Sequence, residues 1–155
     1  MFMMRYRTVV AVGVLYGLFS CDQSKKLDND LELTEKIKEV ISSGQKSLVM
    51  DQLTTFEWDS FLILTPYTNY EAIEEELRID LTGAKHSNLR SRDDICQLIF
   101  FQNGMPVGMV EYPRYPGDFS TNQMEFIAKD SAVFDIIVTT RKTIGGENWI
   151  ELRRQ

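Results

Sequence analysis

The chain has 155 residues, a formal net charge of −6, one histidine and two cysteines. Its length suits one domain with a single core, and the acidic balance repels phosphate backbones, which argues against a nucleic-acid partner. A lone histidine and no metal-spaced Cys/His cluster give no ground to expect a metal ion or cofactor.

Arg5 and Arg7 are the only charges before Asp22, and Thr8 to Ser20 is an uncharged, largely apolar run. As a helix this run would be roughly 20 Å long, short of the roughly 30 Å core of a bilayer. It suits the apolar region of an export signal preceded by basic residues. A short buried helix is the alternative, and Gly13, Gly17 and the abrupt polar shift after the run argue against it. Leu18-Phe19-Ser20-Cys21 resembles the lipobox of bacterial lipoprotein signal peptides: an aliphatic residue, a variable one, a small one, then cysteine. The resemblance implies cleavage before Cys21, acylation of its thiol and often of its amine, and residence in the bacterial cell envelope. An ordinary secretory signal with a chance cysteine is the other reading. Loss of residues 1–20 would remove two arginines and no acids, taking the formal charge from −6 to about −8. Residues 21–30 would then form a polar tether after the lipidated cysteine, with a root-mean-square reach of roughly 15–18 Å. The membrane partner would be met through acyl chains on Cys21.

A single α+β domain is expected over residues 31–155. Leu33, Ile37, Val40 and Ile41 mark one helical face, with Asp30 as N-cap and Gly44 as stop. A short strand follows at Leu48 to Met50. Phe61 to Leu64 reads as a buried strand closed by Pro66. Thr68 stands three residues before Glu71, a capping-box spacing, and Tyr70, Ile73 and Leu77 mark the buried side of the helix that follows. Residues 80–94 are polar and mixed in charge, a loop or a frayed helix end. Ile95 to Gln102 is apolar on both faces, as in a central strand. Asn103-Gly104 is a strong type I′ hairpin signal, returning through Met105 to Tyr112, where Pro106 points to an edge. After the connection YPRYPGDFSTNQ, strands are expected at Met124–Ala128, Val133–Thr140 and Trp149–Arg153. One or two N-terminal helices would pack on an antiparallel meander sheet of about five strands.

Few residue patterns point to chemistry. The acidic run Glu71, Glu74, Glu75, Glu76 and Asp80 reads as a solvated helix face, because a calcium site needs oxygens on a turning backbone. Glu57 and Asp59 flank Trp58 and would suit a carboxylate pair of the glycosidase type. Cys96 in DICQLIFF reads as a buried thiol. Trp58, Phe61, Phe100, Phe101, Phe126, Phe134 and Trp149 lie in or beside strand patterns and are expected in the core. The Pro-rich connection carries the binding candidates Tyr112, Arg114, Tyr115 and Asp118, since Tyr and Arg are enriched at interaction hot spots. The alternative is that its rings pack inward over the sheet edge.

FEWDSFLILTPYTNYEAIEEEL, ICQLIFFQNGMPVGMVEYPR and the later DFS and DSAVFDI segments resemble a group of small bacterial exported proteins with no assigned activity. That resemblance implies one compact domain and transfers no reaction. The expected function is a non-enzymatic, membrane-anchored lipoprotein that binds an envelope partner. One alternative is an inhibitor or immunity-type lipoprotein directed at a basic hydrolase, which the acidic surface would suit. Another is a small envelope enzyme using Glu57 and Asp59.

Overall fold

The computed structural model describes residues 26–115, 117–120 and 125–155. The expected signal, Cys21 and the start of the strand expected at Met124 lie outside the described residues. The domain is α+β. Its described residues form two α-helices, α1 (Leu31–Ser42) and α2 (Tyr70–Leu77), four short 3₁₀ turns and eight strands. The strands are β1 (Ser47–Val49), β2 (Ser60–Leu64), β3 (Ile95–Gln102), β4 (Met105–Pro113), β5 (Gly117–Ser120), β6 (Ile127–Ala128), β7 (Val133–Lys142) and β8 (Asn148–Arg154).

They form two sheets rather than the single five-stranded meander expected, with orders β4-β3-β2-β6 and β1-β7-β8-β5. All pairs are antiparallel except β5 with β8. β5 falls inside the connection expected to be irregular. It lies close against β8 because Gly117 has no side chain: a Cβ there would come within 2.6 Å of the Ile150 carbonyl oxygen. So close a parallel approach leaves no local pattern in the sequence.

The central sheet is covered on both faces, which explains the unbroken apolar run of β3. Its side chains alternate between two cores. Phe61, Ile63, Cys96, Leu98, Phe100, Val110 and Tyr112 meet Phe134, Phe119 and Leu152 of the second sheet, and α1 contributes Leu33, Ile37 and Ile41 there. On the opposite face Leu62, Leu64, Ile95, Ile99, Phe101 and Met109 meet Tyr70 and Ile73 of α2 and Leu81, Ala84 and Leu89 of the intervening turns. The polar stretch 80–94 is therefore ordered as 3₁₀ turns at Thr82–Ser87 and Leu89–Ser91, pinned by buried residues at intervals.

Both helices start where a side chain satisfies backbone donors. The Asp30 carboxylate accepts from the Leu33 amide at 2.9 Å, as the sequence predicts. In α2 the cap is Asn69, which accepts from the Glu71 and Ala72 amides. Thr68 instead donates its hydroxyl to the Thr65 carbonyl. The cap thus stands one residue later than the Thr68–Glu71 spacing suggests, because Asn69 carries an equally good acceptor. Asn103 and Gly104 both have positive φ, as the hairpin turn requires.

Residues 27–30, assigned by the sequence to the tether, lie against the domain. Leu27 is buried, and its amide donates to the Gly83 carbonyl. Asn29 bridges Met109 in parallel sense, the Asp30 amide donates to the Met109 carbonyl, and the Glu111 amide donates to the Asn29 side chain. This segment covers the open edge of β4 at Met109 and Glu111.

Candidate functional site

Where β4 ends, the chain crosses toward the second sheet through Arg114 and Tyr115 and enters β5. Arg114 fixes that crossing. Its amide donates to the Asp94 carbonyl and its guanidinium to the Asp93 carbonyl, both at 3.0 Å, and to the Asp118 carboxylate at 2.5 Å. The Asp118 side chain is only 17% exposed. Burial pushes its carboxyl above the ordinary aspartate range while Arg114 pulls the other way. Nearby, Arg92 ties Asp94 to Glu111 and holds the Asp94 carboxyl below its usual range.

Beside this ionic framework is an open cleft of about 370 Å³. Asp93, Arg114, Tyr115, Arg141, Ile144 and Trp149 are among the residues that line it. The Tyr115 hydroxyl donates to the Glu147 carboxylate, which raises the phenol pKa. A second hollow of about 390 Å³ adjoins it on the outer face of the second sheet, bounded by Asp118, Thr139 and Glu151. Arg141 and Trp149 border both hollows, and the guanidinium carbon stands 4.9 Å from the indole centroid. That is cation–π distance.

The structure brings three of the four sequence-predicted binding residues together. Arg114 and Tyr115 line the cleft, and Asp118 lines the adjoining hollow while pairing with Arg114. Tyr112 does not belong with them. It is an interior residue of β4, packed edge-on against Phe119 at 5.4 Å, with no exposed surface. Alternation along β4 sends it inward together with Val110. Phe119 likewise packs inward, so the two readings of this connection each hold for part of it.

The sequence pattern does not mark Arg141, Ile144 or Trp149 for binding, and it puts Trp149 in the core. Register decides otherwise. Leu152 and Ile150 point toward the central sheet, so Glu151 and Trp149 point outward. Phe126, also expected inside, is partly exposed and meets Phe101 with one edge. A strict count of alternation back from Leu152 is the signal that could have found Trp149.

The other candidates have structural work. Asp59 accepts from its neighbour Ser60 and from the Asn103 amide at 2.5 Å, which anchors the β3–β4 turn and lowers its pKa. Glu57 is exposed beside it. Cys96 is fully buried, and that burial pushes its thiol pKa far up. Glu74 accepts from the Leu81 amide and pairs with Lys85 at 2.7 Å, so part of the acidic helix face serves as a brace. Among the described residues no group of three or more His, Cys, Asp or Glu side chains is placed to hold a metal ion. No described helix is long and apolar enough to cross a membrane.

No protein-family model, curated protein or solved structure matches this chain.

Proposed function

We propose that this protein is a lipid-anchored envelope protein whose domain holds a binding cleft away from the membrane. The observation that carries the reading is the position of the cleft relative to the chain's entry into the domain. Asn29 runs parallel to β4, so going back from Asn29 to Lys26 the chain heads toward Met105 and the Asn103-Gly104 turn. Arg114, Tyr115 and the cleft stand at the opposite end of β4. Nine residues of strand separate the two ends, roughly 25–30 Å at the usual rise. A domain acylated at Cys21 would therefore present Tyr115, Arg141, Ile144 and Trp149 outward.

The composition of the cleft suits a polypeptide partner. Trp, Tyr and Arg concentrate binding energy, and exposed Ile144 adds an apolar contact at the rim. The ionic framework of Arg114 and Asp118 supplies a preset backbone beneath it, so little ordering cost would accompany association. The reading is non-enzymatic: Asp118 is occupied by Arg114, and Cys96 is sealed in the core.

Two measurements test it. Intact mass of protein extracted from native membranes should show loss of residues 1–20 and acyl chains on Cys21, and Cys21→Ser should release the protein from membranes. A photo-crosslinker at position 144 should form an adduct with one envelope protein, abolished by Arg141→Ala with Trp149→Ala while the melting temperature stays within a few degrees. A bare Cys21, or an adduct indifferent to both substitutions, defeats the anchor or the cleft respectively.

A further inference from the structure

The hairpin end of the central sheet exposes apolar side chains among its charged and polar ones. Met105 is 55% exposed and Val107 43%. Phe126 is partly exposed at the same end, because β6 pairs with the start of β2 and Phe126 packs on Phe101. Val107 lines a groove of about 470 Å³ together with Leu27, Phe56 and Met109, and Lys26 stands on its rim. Val107 and Leu27 border the place where the chain enters the domain, Met105 stands two residues before Val107 on β4, and Phe126 lies across the sheet beside β6.

An added β-strand would be a poor occupant. Pro106 has no amide to offer, and the register between β3 and β4 shifts at Phe100/Phe101, a bulge that interrupts the open edge. Residues 27–30 already occupy that edge at Met109 and Glu111. What is left is an apolar surface without a usable hydrogen-bonding line, which suits a partner that makes no directional demands.

We infer that this end of the domain rests on the lipid surface, with Met105, Val107 and Phe126 seated at the boundary between headgroups and acyl chains. The inference rests on the anchored reading above and adds the face on which the domain lies. Five peptide steps separate Cys21 from Lys26, a reach of at most about 18 Å even fully extended. Acyl chains on Cys21 would thus hold Val107 within touching distance of the bilayer and leave the cleft clear of it. Acidic Asp28, Glu57 and Asp59 share this end with Lys26, so neutral zwitterionic headgroups are the fitting lipid, and anionic ones repel it.

The test uses acylated protein recovered from membranes, carrying labelled methyl groups and reconstituted in phosphatidylcholine nanodiscs doped with a gadolinium-chelate lipid. The Met105 and Val107 methyl signals should be lost, while those of Ile144 and Val138 persist. Met105→Ser alone should restore part of the Val107 methyl signal, and Val107→Ser alone part of the Met105 signal, in the acylated protein without changing its melting temperature. Uniform broadening at both ends, in protein whose mass confirms acylation, overturns the orientation and leaves the anchor standing. A mass showing a bare Cys21 overturns both.

Discussion

The two faces of the central sheet share β2, β3 and β4 and are held by different physics. Toward the second sheet the contacts are aromatic and non-directional. Phe100 stacks on Phe61 at 5.3 Å and meets Phe56 and Trp58 edge-on, and each such pair contributes about 0.5–1.5 kcal/mol beyond burial. Toward α2 the same strand carries Gln97, which has no exposed surface. Its side-chain oxygen accepts from the Tyr70 hydroxyl at 3.0 Å, and its amide donates to the Ala84 carbonyl and the Ser87 hydroxyl. One buried amide thus joins β3, α2 and a 3₁₀ turn. Two sheets can pack by shape alone, whereas short turns with few apolar residues need directional bonds to be placed.

That contrast can be broken most forcefully at Phe100. Phe100→Ala should cost about 3–5 kcal/mol, since it removes the centre of the ring cluster and leaves a cavity. The measure is the urea midpoint at unchanged slope. Gln97→Leu keeps the volume but removes the bonds to Tyr70, Ser87 and the Ala84 carbonyl, and should cost about 2 kcal/mol. A neutral outcome would mean that the polar hub contributes nothing beyond packing.

A pair of like substitutions sharpens the comparison further. Tyr70→Phe removes a satisfied hydroxyl and should destabilise by about 1 kcal/mol. The Tyr112 hydroxyl, on the aromatic face, is buried without a hydrogen-bond partner among the described residues. Tyr112→Phe should therefore stabilise, by at most about 1 kcal/mol. Equal signs in the two unfolding curves would refute the assignment of the faces.

The smallest effect is one of pH, at the margin of the aromatic face. Asp118 binds its proton more tightly folded than unfolded. This group therefore adds stability as pH falls from neutral through its raised pKa, and the gain is complete below the ordinary aspartate value. Asp94, held down by Arg92, acts oppositely: its contribution is present above the unfolded pKa and is lost as pH falls through the folded one. Asp118→Asn should remove the first component, making the melting temperature fall more steeply on acidification than in the parent.

Much of the fold is legible in local sequence. Asp30, Asn103-Gly104 and the apolar run of β3 act within a few residues of themselves, so their consequences appear in the pattern. The candidate site was half legible. Arg114, Tyr115 and Asp118 stand in one short segment, whereas Arg141, Ile144 and Trp149 join them only through the pairing of β7 with β8. Tyr112, expected at the end of β4 and also as a binding residue, faces the core instead because alternation from Val110 turns its side chain inward.

The sequence by itself determined where α1 begins, where the hairpin turns and which strand lies between two covered faces, because caps, turns and side-chain periodicity are short-range. Only the tertiary structure decided that the strands divide into two sheets, that β5 lies parallel to β8, and that Trp149 faces solvent while Tyr112 faces the core. Those outcomes depend on register between distant segments, where a shift of one residue reverses every side chain.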